Sequence, residues 1–247
     1  MPRPVEQMTN RVRLGLFLIV CCLGRHPAAA LEFEHLIGEK LLYTMTYKGL
    51  PSARAELRME RNGDGFAVTL IARTRTVFDP LFKIDNRYTA SIDADGRLVT
   101  VTKKVDQKNI RDDMVIRYAP HLEHAEAEDG RGWRIMPNCT NLLVMLYDLR
   151  RKNPQPGDSL SYILDVESQL WKIDGAVTQI DGERQIVFGF TPAQSINSRS
   201  WRTDLLTHRL ARRDSQLIVR LGPPPANVPR RIAFGSQDNR VEMKLGN

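Results

Sequence analysis

Four side chains within six residues form the densest set of possible metal ligands in this chain: His121, Glu123, His124 and Glu126. Imidazole and carboxylate groups are common zinc ligands, and on a helix His121 and His124 would share a face. The segment leads into an Asp129-Gly130 pair that is typical of a turn. A charged, solvated strand therefore explains these residues better than a metal site does, and we predict no bound metal.

Two further patterns fall short of a chemical site. Asp93, Asp95 and Gly96 resemble the start of a calcium-binding loop, but the distal glutamate of such a loop is missing, so a hairpin turn is predicted. The chain also lacks the common signatures of serine hydrolases, zinc proteases, thiol oxidoreductases and nucleotide-binding loops. We therefore expect no cofactor and favour a function without catalysis.

Cys139 is the single cysteine outside the first thirty residues, where Cys21 and Cys22 lie. One cysteine cannot form an internal disulfide. No histidine or lysine adjoins Cys139 to lower the pKa of its thiol, so we predict that it packs as a small apolar side chain.

Large apolar side chains in and near loops are the remaining candidates for binding. The segment 78–82 (FDPLF) is apolar and reads as a loop, and exposed apolar surface often marks a binding site. Tryptophans can serve the same purpose, although a place in the core is the more common role for both groups. The predicted ligand or partner surface consists of Phe78, Pro80, Leu81, Phe82, Trp133 and Trp171.

The first thirty residues have the pattern of a secretory signal peptide. Arg11 and Arg13 precede an apolar run at residues 14–24, and three alanines ending at Ala30 provide a cleavage site. The run is shorter than the roughly 20 residues that span a bilayer. We predict that residues 1–30 are removed and that residues 31–247 form one soluble periplasmic domain of a Gram-negative cell. Of the net charge of +7, residues 1–30 contribute +3, and the remaining modest excess argues against nucleic-acid binding.

The rest of the chain alternates apolar and polar residues in the manner of half-buried strands. Such alternation covers residues 41–47, 53–61, 66–76, 86–92, 98–105, 113–118, 159–166, 170–177, 184–190, 215–221, 230–234 and 240–245. Turn-forming pairs separate them, including Asp-Gly at 95–96, 129–130, 174–175 and 181–182. Short connections of this kind predict an antiparallel meander, because parallel strands need longer crossovers.

One segment has helical periodicity. Residues 140–151 (TNLLVMLYDLRR) place apolar side chains at positions 142, 145, 146 and 149, with Asn138 or Thr140 available as N-cap. The predicted fold is mainly β: a single domain with a long, curved antiparallel sheet, open or spiral and barrel-like, wrapped around this one short helix.

Several short motifs, taken in order, resemble the bacterial exported family grouped as domain of unknown function 3108. They span residues 37–245 and include Gly38-Glu39-Lys40-Leu41-Leu42-Tyr43, the "L-x-x-x-Y-x-L-R" helix ending at Arg150, Pro156-Gly157-Asp158, and Val228-Pro229-Arg230-Arg231-Ile232. The proline run at 223–225 departs from the family pattern. The resemblance implies an exported, β-rich envelope protein and supplies no catalytic residues.

The sequence therefore predicts a periplasmic, non-catalytic envelope protein. It would bind a lipid or other apolar ligand, or an envelope protein partner, in the concave face of its sheet, with at most peripheral membrane contact. One alternative is a scaffold that acts through its edge strands or through the loop at 78–82. The other is an envelope hydrolase.

Overall fold

In the part of the chain that the structure describes, alternating apolar and polar residues produce the strands, and one apolar segment produces the α-helix. The computed structural model describes residues 33–75, 83–107, 110–166, 168–193, 204 and 213–246. The strands are β1 Lys40–Tyr47, β2 Leu50–Asn62, β3 Gly65–Thr74, β4 Ile84–Ile92, β5 Leu98–Gln107, β6 Ile110–Ala119, β7 His124–Ala127, β8 Gly132–Arg134, β9 Cys139–Thr140, β10 Ser159–Val166, β11 Gln169–Ile180, β12 Glu183–Pro192, β13 Gln216–Leu221, β14 Pro229–Ser236 and β15 Asn239–Leu245, and the helix is α1 Leu142–Lys152. Short 3-10 helices cover Glu34–Leu36 and Pro120–Leu122.

All fifteen strands belong to one curved sheet. Across the sheet the strands follow in the order β8, β7, β6, β5, β4, β3, β2, β1, β15, β14, β13, β12, β11, β10, β9. The first and last strands pair antiparallel in the middle of the sheet, with Met45 opposite Met243, and the middle of the chain supplies both edges. Neighbouring strands are antiparallel except β9, which pairs with β10 in parallel. The predicted fold class, a long curved β-sheet around one helix, is confirmed.

Two details of the strand prediction are wrong. Strand β7 overlaps the segment that was predicted to be a charged strand, but the short strands β8 and β9 were not predicted, because two or three residues are too few for alternation to be recognised. The pair Asp174-Gly175 was predicted to be a turn but lies inside β11, opposite Phe188. A side chain at Gly175 would come within 2.5 Å of the Phe188 ring, so the glycine makes room for that ring and forms no turn.

Helix α1 lies inside the curved sheet and is buried on almost every side. Its predicted apolar stripe is buried, and so are Leu143, Val144, Tyr147 and Arg150. Between the helix and strands β2, β3, β14 and β15 the packing leaves a void of only about 10 Å³. The N-cap prediction is wrong: Asn141 caps the helix by accepting a hydrogen bond from the Val144 amide at 3.0 Å. This part of the concave face is therefore packed.

Two buried arginines hold the C-terminal end of α1. The Arg150 guanidinium donates to both carboxylate oxygens of Glu39, which precedes β1, and to the Ala226 carbonyl. Arg184, on β12, donates to Asn153 Oδ1 at 2.7 Å and to Asn227 Oδ1 at 2.5 Å. These five residues, Glu39, Arg150, Asn153, Arg184 and Asn227, form what we call the helix clamp.

The helix clamp satisfies carbonyl groups that a buried helix end would otherwise leave unpaired. Asn227 Nδ2 donates to the Arg150 carbonyl at 2.8 Å, and Arg184 also donates to the carbonyls of Pro154 and Gly222. The clamp joins α1 to the first strand and to both sides of the β13–β14 loop. In the part of the chain that the structure describes, no helix is both long and apolar enough to cross a membrane.

We expect Arg150→Ala to destabilise the protein by about 3 kcal/mol, because it leaves Glu39 and the Ala226 carbonyl without their buried partner. Denaturant unfolding monitored by circular dichroism measures this change. The matched control is Arg61→Ala, which removes an exposed pair with Glu34 and should cost less than about 1 kcal/mol. Equal losses in the two variants would contradict a special role for the helix clamp.

Candidate functional site

The two edges of the sheet face each other across a seam that backbone pairing does not close. Strand β8 ends at Arg134 and β9 begins at Cys139. Five residues of extended chain span at most about 18 Å, so this connection keeps both edges close together. We call the gap between β8 and β10, bordered by residues 135–138, the seam.

Side-chain hydrogen bonds to Asp165 join the strands on the two sides of the seam. Asp165 Oδ2, on β10, accepts from the Tyr118 hydroxyl on β6 at 3.0 Å and from Trp133 Nε1 on β8 at 2.9 Å. Its other oxygen, Oδ1, is buried and has no hydrogen-bond partner of normal geometry among the described residues. One carboxylate thus connects three strands that share no backbone ladder across the seam.

Burial changes the protonation of the groups at the seam. Burial raises the pKa of Asp165 from 3.8 to about 6, and the hydrogen bonds from Trp133 and Tyr118 only partly oppose this increase. Burial and the nearby Asp165 carboxylate also raise the pKa of Tyr118 well above its ordinary value. The Tyr118 hydroxyl therefore stays protonated and remains a donor at physiological pH.

A cavity of about 960 Å³ opens beside the seam, and we call it the seam cavity. Its wall includes the β4–β5 turn, the end of β6, the connection from β8 to β9, one face of α1 and the start of β10. Apolar side chains that line it include Phe33, Leu98, Ile135, Met136, Val144 and Met145. Its charged side chains are Asp95, Arg97, Asp148, Arg151 and Lys152, and the titratable side chains of His121, Tyr118, Cys139 and Tyr162 also line it.

Four side chains that line the seam cavity form a compact ionic group. Asp148 Oδ1 pairs with Arg151 at 2.7 Å, and Oδ2 pairs with Lys152 at 2.8 Å and accepts from the Tyr162 hydroxyl at 2.9 Å. The Lys152 ammonium lies 4.4 Å from the centre of the Tyr162 ring. Burial tends to raise the pKa of Asp148, but the hydrogen bonds from Lys152 and Arg151 outweigh it and the pKa falls below its ordinary value.

The structure describes two of the six residues of the predicted binding surface, Trp133 and Trp171. Phe78, Pro80, Leu81 and Phe82 lie outside the described residues. Trp171 is 5% exposed and packs edge-on against Phe190, with ring centres 6.2 Å apart. Trp133 is half-buried and binds Asp165. Neither tryptophan lines the seam cavity, so Trp171 is a core residue and Trp133 supports the seam.

The possible metal ligands at 121–126 do not converge. Glu123 accepts hydrogen bonds from Arg134, and His121 lines the seam cavity. Within the described ranges, no three His, Cys, Asp or Glu side chains are placed to share a metal ion. Cys139 is half-buried at the seam, and burial raises the pKa of its thiol, which disfavours the reactive thiolate.

Sequence reasoning did not identify Asp165 or Asp148, the two carboxylates that organise this region. A signal for Asp165 was present, since an acidic residue interrupts the apolar run of β10. A buried acid in such a run requires hydrogen-bond donors from elsewhere. Its donors come from residues 47 and 32 positions away in the chain, and spacing cannot reveal them.

We expect Asp165→Asn to remove a pH dependence from the stability of the protein. Because folding raises the pKa of Asp165, the folded state binds its proton more tightly, and its contribution to stability is full below about pH 4 and is lost as pH rises through 6. The loss corresponds to about 3 kcal/mol. The test measures the unfolding free energy of wild type and of Asp165→Asn from pH 4 to 7.5. As pH rises over this range, the wild type should lose up to that amount of stability relative to the variant.

Asp165→Ala provides the contrast, because it leaves the buried Tyr118 hydroxyl and Trp133 Nε1 without an acceptor. We expect a loss of about 2–4 kcal/mol at pH 7. Parallel stability curves for wild type and Asp165→Asn would contradict the raised pKa.

Comparison with known proteins identifies the fold only. No protein-family model and no curated protein sequence matches the chain. A solved structure from Brucella abortus, described as a β-barrel-like protein of domain of unknown function DUF1849, is 11% identical, covers 86% of this chain and 97% of its own, and has a TM-score of 0.57. A DUF1089 family protein from Pseudomonas aeruginosa is also 11% identical and covers 71% of this chain and 87% of its own, with a TM-score of 0.39. The chain is thus similar in fold to a β-barrel-like protein of unassigned function.

Proposed function

We propose that this protein is a non-catalytic protein of the bacterial cell envelope that binds a ligand with a large apolar part in the seam cavity. The observation that carries the proposal is the cavity of about 960 Å³, which is lined by both apolar and charged side chains. Its volume lies in the range of about 300–1,000 Å³ typical of small-molecule sites. Helix α1 fills the concave face on the side of β2, β3, β14 and β15, so the ligand would occupy the space beside the seam.

The chemical state of the cavity wall supports binding over catalysis. The phenols of Tyr118 and Tyr162 have raised pKa values, mainly because of burial, and stay protonated. Burial also keeps the Cys139 thiol protonated, and Asp148 is engaged by two cations. A nucleophile or general base needs a pKa matched to its reaction, and these groups are shifted away from such values.

The envelope location rests on the sequence. The apolar run at residues 14–24, the basic residues before it and the alanines at 28–30 have the order of an export signal. The resemblance to domain of unknown function 3108 supports the same compartment. We propose a periplasmic protein with a mature domain at residues 31–247, and membership of that family remains a prediction.

A scaffold function is the second candidate, and the edge of the sheet favours it. Strand β10 begins at Ser159 but pairs with β9 only at Ile163 and Leu164. The first four residues of β10 thus lack a strand on that side among the described residues, and an extended segment of a partner could pair there. A pure scaffold would have no need of the seam cavity, which allows the two functions to be distinguished.

Expression of the full chain in a Gram-negative host tests the location. We expect the protein in the periplasmic fraction with an intact mass that corresponds to residues 31–247, because the export signal is removed after Ala30. Arg11→Glu with Arg13→Glu should retain the uncleaved protein in the cytoplasm, since it inverts the charge of the basic flank. Full-length protein in the cytoplasm of the wild-type strain would contradict the proposed location.

Binding of N-phenyl-1-naphthylamine, an uncharged fluorescent probe, tests the cavity. We expect saturable binding to the wild type and an affinity about tenfold lower for Met136→Trp, because the larger side chain fills part of the seam cavity. The control is Leu42→Trp, which adds the same ring at an exposed position on β1 and should bind the probe like the wild type. Absence of saturable binding to the wild type, or equal affinities for all three proteins, would contradict the proposed function.

A further inference from the structure

The charged side chains that line the seam cavity carry more positive than negative charge. Asp95 and Arg97 form one pair at 3.2 Å and balance each other. Asp148 pairs with two cations, Arg151 and Lys152, so this group has one negative and two positive charges. The described lining thus has an excess of one cation, in addition to the titratable His121.

Existing contacts hold the two cations in place. Asp148 binds both of them and is itself fixed by the Tyr162 hydroxyl, while the Tyr162 ring lies against the Lys152 ammonium. The side chains of Arg151 and Lys152 nevertheless remain 31% and 40% exposed. They are therefore positioned in advance and still accessible from the cavity, which lowers the entropy cost of binding a further anion.

Accessible apolar side chains line the same cavity as these charges. Met136, in the connection from β8 to β9, and Ile163, on β10, are half-buried and line the seam cavity together with Arg151 and Lys152. Val144 and Met145, one turn before Asp148 on α1, are 5% and 0% exposed and lie behind this surface. A ligand in the cavity would therefore meet both apolar side chains and positive charge.

We propose that the ligand of the seam cavity is an anionic amphiphile, with its apolar chain against Met136 and Ile163 and its acidic head group against Arg151 and Lys152. This inference rests on the proposed function and specifies the chemistry of the ligand. The head group shares the chemistry of a carboxylate or a phosphate monoester, both of which accept charge-assisted hydrogen bonds from arginine and lysine. Asp148 acts as a positioning residue for the two cations.

Titration with cis-parinaric acid and with its uncharged methyl ester tests the inference. The measured quantity is the ratio of the two affinities at pH 8, where the acid is ionised. We expect the wild type to bind the acid about tenfold or more tightly than the ester, and Arg151→Gln with Lys152→Gln to reduce that ratio to about one, because both charged donors are lost.

Two control variants separate a local site from the effect of net charge. Arg73→Gln with Lys172→Gln removes the same charge from exposed positions on β3 and β11 and should keep the wild-type ratio. Arg151→Lys with Lys152→Arg keeps both charges in the cavity and should also prefer the acid. Loss of the preference in either control would contradict the assignment to Arg151 and Lys152.

Displacement of bound cis-parinaric acid distinguishes the two head groups. We expect palmitate or hexadecyl phosphate to displace it at lower concentration than hexadecanol does, and the stronger competitor identifies the head group. Three outcomes would overturn the inference without contradicting the proposed function. They are equal displacement by all three competitors, equal affinity of the wild type for the acid and the ester, and a wild-type affinity ratio in the Arg151→Gln, Lys152→Gln variant. If the wild type binds neither acid nor ester, the proposed function itself fails.

Discussion

Burial of helix α1 on nearly all sides is the constraint on which the rest of this structure depends. A helix inside a curled sheet gains apolar contacts around its circumference, but its terminal peptide groups lose water and need protein partners. Asn141 serves the first turn, and the helix clamp serves the last. Because the clamp draws on Glu39, Arg184 and Asn227, the position of one helix determines where three distant parts of the chain must lie.

Contacts at the C-terminal end of α1 also join the motifs that resemble the exported family. Glu39, from the first motif, binds Arg150 at the end of the helix motif. Tyr43, four residues after Glu39, donates to the Pro229 carbonyl of the last motif at 2.8 Å. Three segments that are distant in sequence therefore meet at one end of the barrel-like sheet. This gives the motifs a structural reason that is separate from any ligand.

The seam differs from the tightly packed end of α1, and this difference explains why the seam cavity lies there. Along β1 and β15 the sheet is continuous and its concave face is filled. Across the seam no pair of described strands closes the sheet, and side chains such as Asp165 join the strands on its two sides. A gap in the ladder leaves room for a cavity, and the exposed turn of α1 supplies charge to it. The sheet is open and closes incompletely. For this reason the helix packs tightly against the continuous part of the sheet, and the seam cavity lies beside its last turn.

Local patterns in the sequence determined most of the secondary structure: the long strands, the Asp-Gly turns at 95–96, 129–130 and 181–182, and the one helix, because each depends on neighbouring residues. The same patterns also supported the barrel-like arrangement. Local patterns failed at Asn141, at Gly175 and at the short edge strands, where a partner elsewhere in the fold decides the conformation. Only the tertiary structure decided the seam cavity, the partners of Asp165 and the helix clamp. The hydrogen bonds of Asp165 and of the clamp join residues between 30 and 111 positions apart, and no periodicity encodes contacts over that separation.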